Sequence, residues 1–337
     1  MIYQSPPVDD KLIWDVWLSS HYLPAVNVAT EIGLFPALSG KTLTAEELAA
    51  ALKVNARALT ILLSLLAALG FVVRQQGRYG LTTASRTYLV PGSDYFWDAQ
   101  LRIYRDGNPA YERLLKAVRQ EVDLEGAPAA AWEAGEIGIE QARMVAGFMH
   151  GHSLPAAVGA ARTGLFDDVG RLLDVGAGSG CFAIAIAQHV PTLKATLMEL
   201  AGMCEAARPY IEAAGVSDRV DTVPVDMFRQ PWPTGYDALF FSNIYHDWND
   251  ATCAELSAKA FAALPSGGRI FLHEQLLGDN LDGPATTASF SVLMMLGTRG
   301  KQYSLPEFTA LLEGVGFVDV SATHSCGYYS LVSARKP

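Results

Sequence analysis

Two hydrophobic rhythms divide this chain. Up to about residue 165 apolar residues recur at helical spacings; from Arg171 onward they gather in short continuous runs separated by helical stretches. In the first part, Leu12 to Leu38 has mixed helical spacing, and breaks are expected at Pro24 and Gly33. Thr44 followed by Glu47 has the form of a capping box that opens a helix. Leu48 to Leu69 reads as two short apolar helices divided around Asn55, and Gly70 to Thr82 alternates about Gly77 as strand, turn and strand. Helix, helix and hairpin is the plan of a winged helix. Residues 95–165 read as connecting helices, with a small loop at Gly126–Ala131 and a further helix beginning at Pro155.

The second part reads as short buried strands, Arg171–Val175, Ala195–Glu199, Val220–Val225, Ala238–Asn243 and Arg269–Glu274, with helices between them. That alternation predicts an α/β fold with a doubly wound parallel sheet. Phe317–Thr323 and Tyr328–Ser333, joined by a short glycine-containing turn, predict an antiparallel hairpin that finishes the sheet. The expected organisation is 1–95 as a winged-helix-like domain, 96–165 as connecting helices, and 166–337 as the sheet domain.

Composition narrows the function classes. Half of the 337 residues are hydrophobic and 18% are charged, which suits folded domains with real cores. A net charge of −10 argues against a phosphate-backbone partner. A winged helix invites a DNA-binding reading, but residues 1–100 hold seven basic side chains against eight acidic ones, which is no basic footprint. The apolar, aromatic run Leu12–Leu18 fits a packing or dimerisation surface better. No apolar run reaches bilayer length and no signal peptide is evident, so a cytoplasmic protein is expected. The four cysteines are scattered, which suits reduced thiols and no zinc site.

Two motifs carry the chemistry. Leu172–Gly180 (LLDVGAGSG) is a glycine-rich strand-to-helix turn. Glycines there allow close backbone approach, and a helix N-terminus offers unpaired N–H groups to an anionic group. The third glycine of a dinucleotide fingerprint would fall at Cys181, and a P-loop lysine is absent. Glu199 ends the next strand, about where an acid can hold ribose hydroxyls. Asp226 ends the third strand, with Met227 beside it as a soft cover for a flat ring. The other motif is Leu239–Trp248 (LFFSNIYHDW), which places His246 at the exit of a strand, with an unperturbed pKa suited to proton removal.

Together these features resemble the class I S-adenosylmethionine-dependent methyltransferases, and more narrowly the caffeate and acetylserotonin O-methyltransferase type with bacterial small-molecule relatives. The resemblance covers nearly the whole chain. His246-Asp247-Trp248, then His273-Glu274, then Asp282-Gly283-Pro284, are its family-specific residues. The resemblance implies that Asp174, Gly176 and Gly178 line the methionine end of the cofactor and that Glu199 with Leu200 takes the ribose. Asp226 and Met227 would flank adenine, and Ser242 stands where plant members often carry lysine. His246 matches the general base, next to Asp247, and Glu274 the acid that orients it. Gln302 falls where plant members have a second glutamate. A homodimer through the N-terminal domain is implied.

The acceptor pocket is expected to be apolar, drawing on Phe148, Met149 and His152 and on Phe290, Met294 and Met295. His273 is expected to face away from the site as a structural residue. No ligand spacing demands a metal at His246 and Asp247. The reading is a small-aromatic O-methyltransferase. Two alternatives stay open: C-methylation of an activated aromatic carbon, and a ligand-sensing winged-helix regulator.

Overall fold

A computed structural model describes residues 1–120 and 130–337 as two compact units. The expected loop at Gly126–Ala131 lies outside the described residues, apart from Ala130 and Ala131, which begin a short helix.

One unit is residues 12–125 together with 277–304. Its helix Ala45–Leu52 starts from the expected capping box, Thr44 and Glu47 each bonding the other's backbone N–H. Asn55 caps the next helix, Ala56–Ala68, through its side-chain oxygen. Strands β1 (Val72–Gln75) and β2 (Arg78–Leu81) pair antiparallel across Gln76 and Gly77, both at positive φ. Leu43 adds a bridge to Tyr79, completing the wing of the expected winged helix. Pro24 does not break its helix: it lies in the first turn of Tyr22–Glu31, where a missing N–H costs nothing. The apolar helix Ala285–Gly297 belongs to this unit's core, where Val292 and Met295 pack with Leu62, Leu63 and Leu66.

The other unit is residues 1–11, 126–276 and 305–337. Its strands are β3 (Arg171–Val175), β4 (Lys194–Glu199), β5 (Val220–Pro224), β6 (Ala238–Ser242), β7 (Arg269–Gln275), β8 (Val318–Cys326) and β9 (Tyr329–Arg335). They form one sheet in the order β5-β4-β3-β6-β7-β9-β8. The first five strands run parallel, and β9 and β8 add antiparallel to the β7 edge. The central strands are apolar because both faces are covered, as in Leu172, Leu173, Phe240, Phe271 and Leu272, all buried. Strand order reverses between β3 and β6, and the crevice beyond that reversal is where such sheets bind ligands.

Helix Ile139–Ala161 runs unbroken through Pro155, where a fresh start was expected. The proline forfeits one hydrogen bond, but a buried stripe of small residues (Ala142, Ala146, Ser153, Ala156, Ala157, Ala160) holds the helix in place. Gly159 makes that contact close: a Cβ there would come within 2.5 Å of Cys326 Cβ and 2.8 Å of the Ser325 carbonyl oxygen. Gly159→Ala is therefore expected to destabilise the protein by about 1–3 kcal/mol through overpacking against the hairpin backbone. Denaturant unfolding with an unchanged midpoint would show that the hairpin yields at no cost.

Candidate active site

At the exit of β3, Gly176, Gly178 and Gly180 all adopt positive φ. Gly180 has least choice, since a Cβ at φ 76° would also meet Leu197 Cδ1 at 2.5 Å. The turn opens helix Cys181–His189. Asp174, Gly176, Gly178 and Ser242 line one small cavity, with Met149, Ser153, Ser179 and Asn243. Glu199, Leu200, Asp226 and Met227 line a second with Trp132 and Phe228, and Gly176 belongs to both.

Electrostatics mark this crevice. Asp174 is buried, and burial pushes its carboxyl up to about 8 against a backbone bond from Ala183 that pulls it down. Its Oδ2 has no hydrogen-bond partner. Burial likewise raises Glu199 to about 7, opposed by bonds from the Leu200 N–H, the Trp132 indole and the Gly178 N–H. The Leu200 bond is 2.7 Å, whereas the Trp132 indole nitrogen stands 3.4–3.5 Å from the carboxylate oxygens. Asp226 is held below the usual carboxylate range: burial pushes upward, and Arg229 at 2.6 Å with two backbone N–H groups outweighs it.

The second motif stands beside this crevice. After β6 the chain turns through Asn243, left-handed at φ 55°, into the short 3-10 turn Tyr245–Asp247. Glu274 near the end of β7 reaches that turn. Its Oε1 accepts from the backbone N–H groups of Ile244 (3.1 Å), Tyr245 (3.0 Å) and His246 (3.4 Å). Its Oε2 stands 3.0 Å from His246 Nδ1. Asp247 Oδ1 is 3.7 Å from Nε2. Burial draws the His246 pKa down, but Glu274 and Asp247 together outweigh it and raise it. Asp247 is pushed up to about 6 by burial and by Glu274, against the opposing imidazole.

The expected acceptor residues fall in different places. Met149 lines the first cavity. His152, half-buried, bonds the Phe148 carbonyl at 3.1 Å and interacts electrostatically with His246. Phe148 is 62% exposed. Phe290, Met294 and Met295 lie in the other unit, where Phe290 packs at a tilt against Trp14, ring centroids 5.3 Å apart, and Met295 is fully buried. So is Gln302, its N–H bonded to Ser291. Among the described residues no group of three or more potential ligands is placed to hold a metal.

Several residues at the crevice had no signal in the sequence. Trp132 meets Glu199 from 67 residues away. His150 bonds Ser179 of the glycine turn at 3.1 Å, and on its other nitrogen faces the Tyr3 hydroxyl at 3.4 Å. Such pairings depend on helix packing, which local pattern does not encode.

The site residues suit a ligand with both charges: backbone N–H groups at the glycine turn for an anionic end, and the orphaned Asp174 oxygen for a cationic one. Comparisons agree. A profile described as the O-methyltransferase domain matches residues 113–318, and one described as the O-methyltransferase dimerisation domain matches 14–91. The chain is 34% identical over 296 residues to 3-hydroxy-5-methyl-1-naphthoate 3-O-methyltransferase of Streptomyces sahachiroi, covering 88% of this chain and 86% of that protein. It is 30% identical to acetylserotonin O-methyltransferase of Bos taurus, over 77% of this chain and 76% of that one. An O-methyltransferase family 2 protein from Planctomyces limnophilus, solved with apigenin, superposes with a TM-score of 0.87 at 25% identity over 100% of both chains.

Asp174 and Glu199 both have folded pKa values above their ordinary 3.8 and 4.5. The folded chain thus holds protons that the unfolded chain has released, and stability falls as pH rises from about 4 to about 8. In Asp174→Asn the loss of melting temperature between pH 6 and pH 8 is expected to shrink. An identical loss in the variant would show that Asp174 does not titrate there.

Proposed function

The chain belongs to the S-adenosylmethionine-dependent O-methyltransferases, and on that premise we propose that it methylates a phenolic or enolic hydroxyl of a small aromatic molecule, with His246 as general base. Its dimerisation domain makes a second copy of the chain its partner. The acceptor class follows the relatives, one named for a naphthoate and one solved with apigenin.

When bound, the cofactor supplies an electrophilic methyl on a sulfonium. The protein's part is to bind, orient and take a proton. Asp174, Gly176 and Gly178 would hold the amino-acid end, Glu199 and Leu200 the ribose, and Asp226 and Met227 the adenine, with Ser242 on the wall between β3 and β7. Met149, His152 and Phe148 would face the acceptor. Four free cysteines, three of them buried, suit a reducing cytoplasm.

One observation carries the base assignment: the carboxylate that fixes the backbone of the 3-10 turn also faces His246 Nδ1 at 3.0 Å. A proton on Nδ1 is stabilised there, which leaves the Nε2 lone pair as the proton acceptor. When Nε2 takes the hydroxyl proton, Glu274 and Asp247 stabilise the imidazolium. Nucleophile, base and orienting acid then stand in the order that activates a weak oxygen nucleophile.

His246→Ala is expected to keep cofactor binding while methyl transfer falls by about 10²–10⁴-fold. Mass spectrometry of phenol panels incubated with labelled cofactor reads the result, and unchanged turnover would remove His246 from the reaction. The pH profile gives a second check. A general base works unprotonated, and the raised His246 pKa puts the acid limb of kcat/KM above 6.5. Glu274→Gln removes the charge that raises it, so the limb should move to lower pH as the maximum rate drops. A limb that stays in place would separate Glu274 from the titrating group.

A further inference from the structure

We propose that Ser242, held as a hydrogen-bond acceptor, and the unpartnered side-chain oxygen of Asn243 make the cofactor site discriminate in favour of the positively charged sulfonium cofactor over its neutral thioether product. This rests on the cofactor-site reading above and deepens it.

Ser325 Oγ lies 3.0 Å from the Tyr329 carbonyl oxygen. A carbonyl only accepts, so the single hydroxyl proton of Ser325 is used there. The same oxygen is 2.9 Å from His273 Nε2 and must therefore accept from the ring. His273 is fully buried, stacked on Tyr329 with ring centroids 4.9 Å apart, and burial holds its pKa down to about 3. It is neutral, and its one ring proton sits on Nε2. Nδ1 is then an acceptor. Ser242 Oγ, 3.1 Å away, can only donate to it. The Ser242 proton is turned into the protein, and what the residue has left for other partners is lone pairs.

Asn243 adds a second oxygen beside it. Its left-handed backbone is one that asparagine tolerates. Its side-chain amide hydrogen-bonds the Tyr329 hydroxyl, while its buried Oδ1 has no partner. Ser242, Asn243 and Asp174 line the same cavity, from the ends of the neighbouring strands β6 and β3. That wall turns three side-chain oxygens toward a ligand, and His273 holds the Ser242 oxygen as an acceptor. Where the resemblance puts a lysine in plant members, this chain presents a neutral hydroxyl oxygen in place of a positive charge. A second positive charge on the ligand is favoured at such a wall, and its loss on methyl transfer weakens the grip on the product.

Calorimetric Kd values on the intact dimer test this. Three ligands are compared: S-adenosylmethionine, S-adenosylhomocysteine, and an analogue carrying an ammonium-bearing carbon in place of the sulfonium. Ser242→Ala is expected to weaken both cationic ligands about tenfold and the neutral product by less than about twofold. His273→Phe keeps a ring between Phe182 and Tyr329 but releases the Ser242 proton, and should shift the ratio the same way. Asn243→Asp adds negative charge and should raise the preference for the cations. Equal weakening of all three ligands in Ser242→Ala and His273→Phe would overturn the proposal, because the wall would then serve only the amino-acid end that they share. An unaltered ratio in Asn243→Asp would count against it as well. Failure of the underlying site reading shows separately, as an Asp174→Ala variant that binds all three ligands normally.

Discussion

The arrangement at the sheet edge depends on one carboxylate. Glu274 is buried near the end of a central strand and would be costly there without partners. It gathers three backbone N–H groups on one oxygen and an imidazole on the other. The first set fixes the turn that follows β6, and the second fixes the ring that the turn carries. A rigid β7, paired on both sides, thus determines where His246 points. Were the carboxylate lost, the turn would lose the acceptor for those backbone donors and the ring its orienting charge, so positioning and basicity are one interaction.

A second constraint is the way burial is used across the crevice. Asp174 and Glu199 are driven toward their neutral forms by desolvation. Asp226, close by, is already answered by Arg229. His273 is kept neutral by burial and transmits hydrogen-bond polarity between Ser325 and Ser242. Burial therefore pushes the two histidines of the β6–β7 edge in the same direction, and only the one with carboxylate neighbours ends above its ordinary pKa.

Much of the fold was legible in the sequence. Short apolar runs located the strands because central strands of a parallel sheet are covered on both faces. Thr44, Glu47, Asn55 and Gly77 announced caps and a turn because those positions need their side chains or their backbone freedom. Pro24 and Pro155 misled because proline's penalty depends on its place in a helix and on what the helix packs against. The glycine turn and the 3-10 turn that carries His246 could be placed because each follows a plainly apolar strand, β3 or β6. Asn243, Trp132 and His150 were not, since each reaches the crevice through tertiary packing or a backbone conformation that no local pattern marks. His273 was read as structural from strand alternation; the proton count along its neighbours gives it more to do.

The role of Glu274 in setting the His246 tautomer is read most directly by ¹⁵N NMR of the histidine side chains, with His246 assigned through its alanine variant. An imidazole protonated on Nδ1 in its neutral form is expected, titrating above the ordinary 6.5, with both properties lost in Glu274→Gln. A His246 ring protonated on Nε2, or one that titrates at or below the ordinary value, would contradict it.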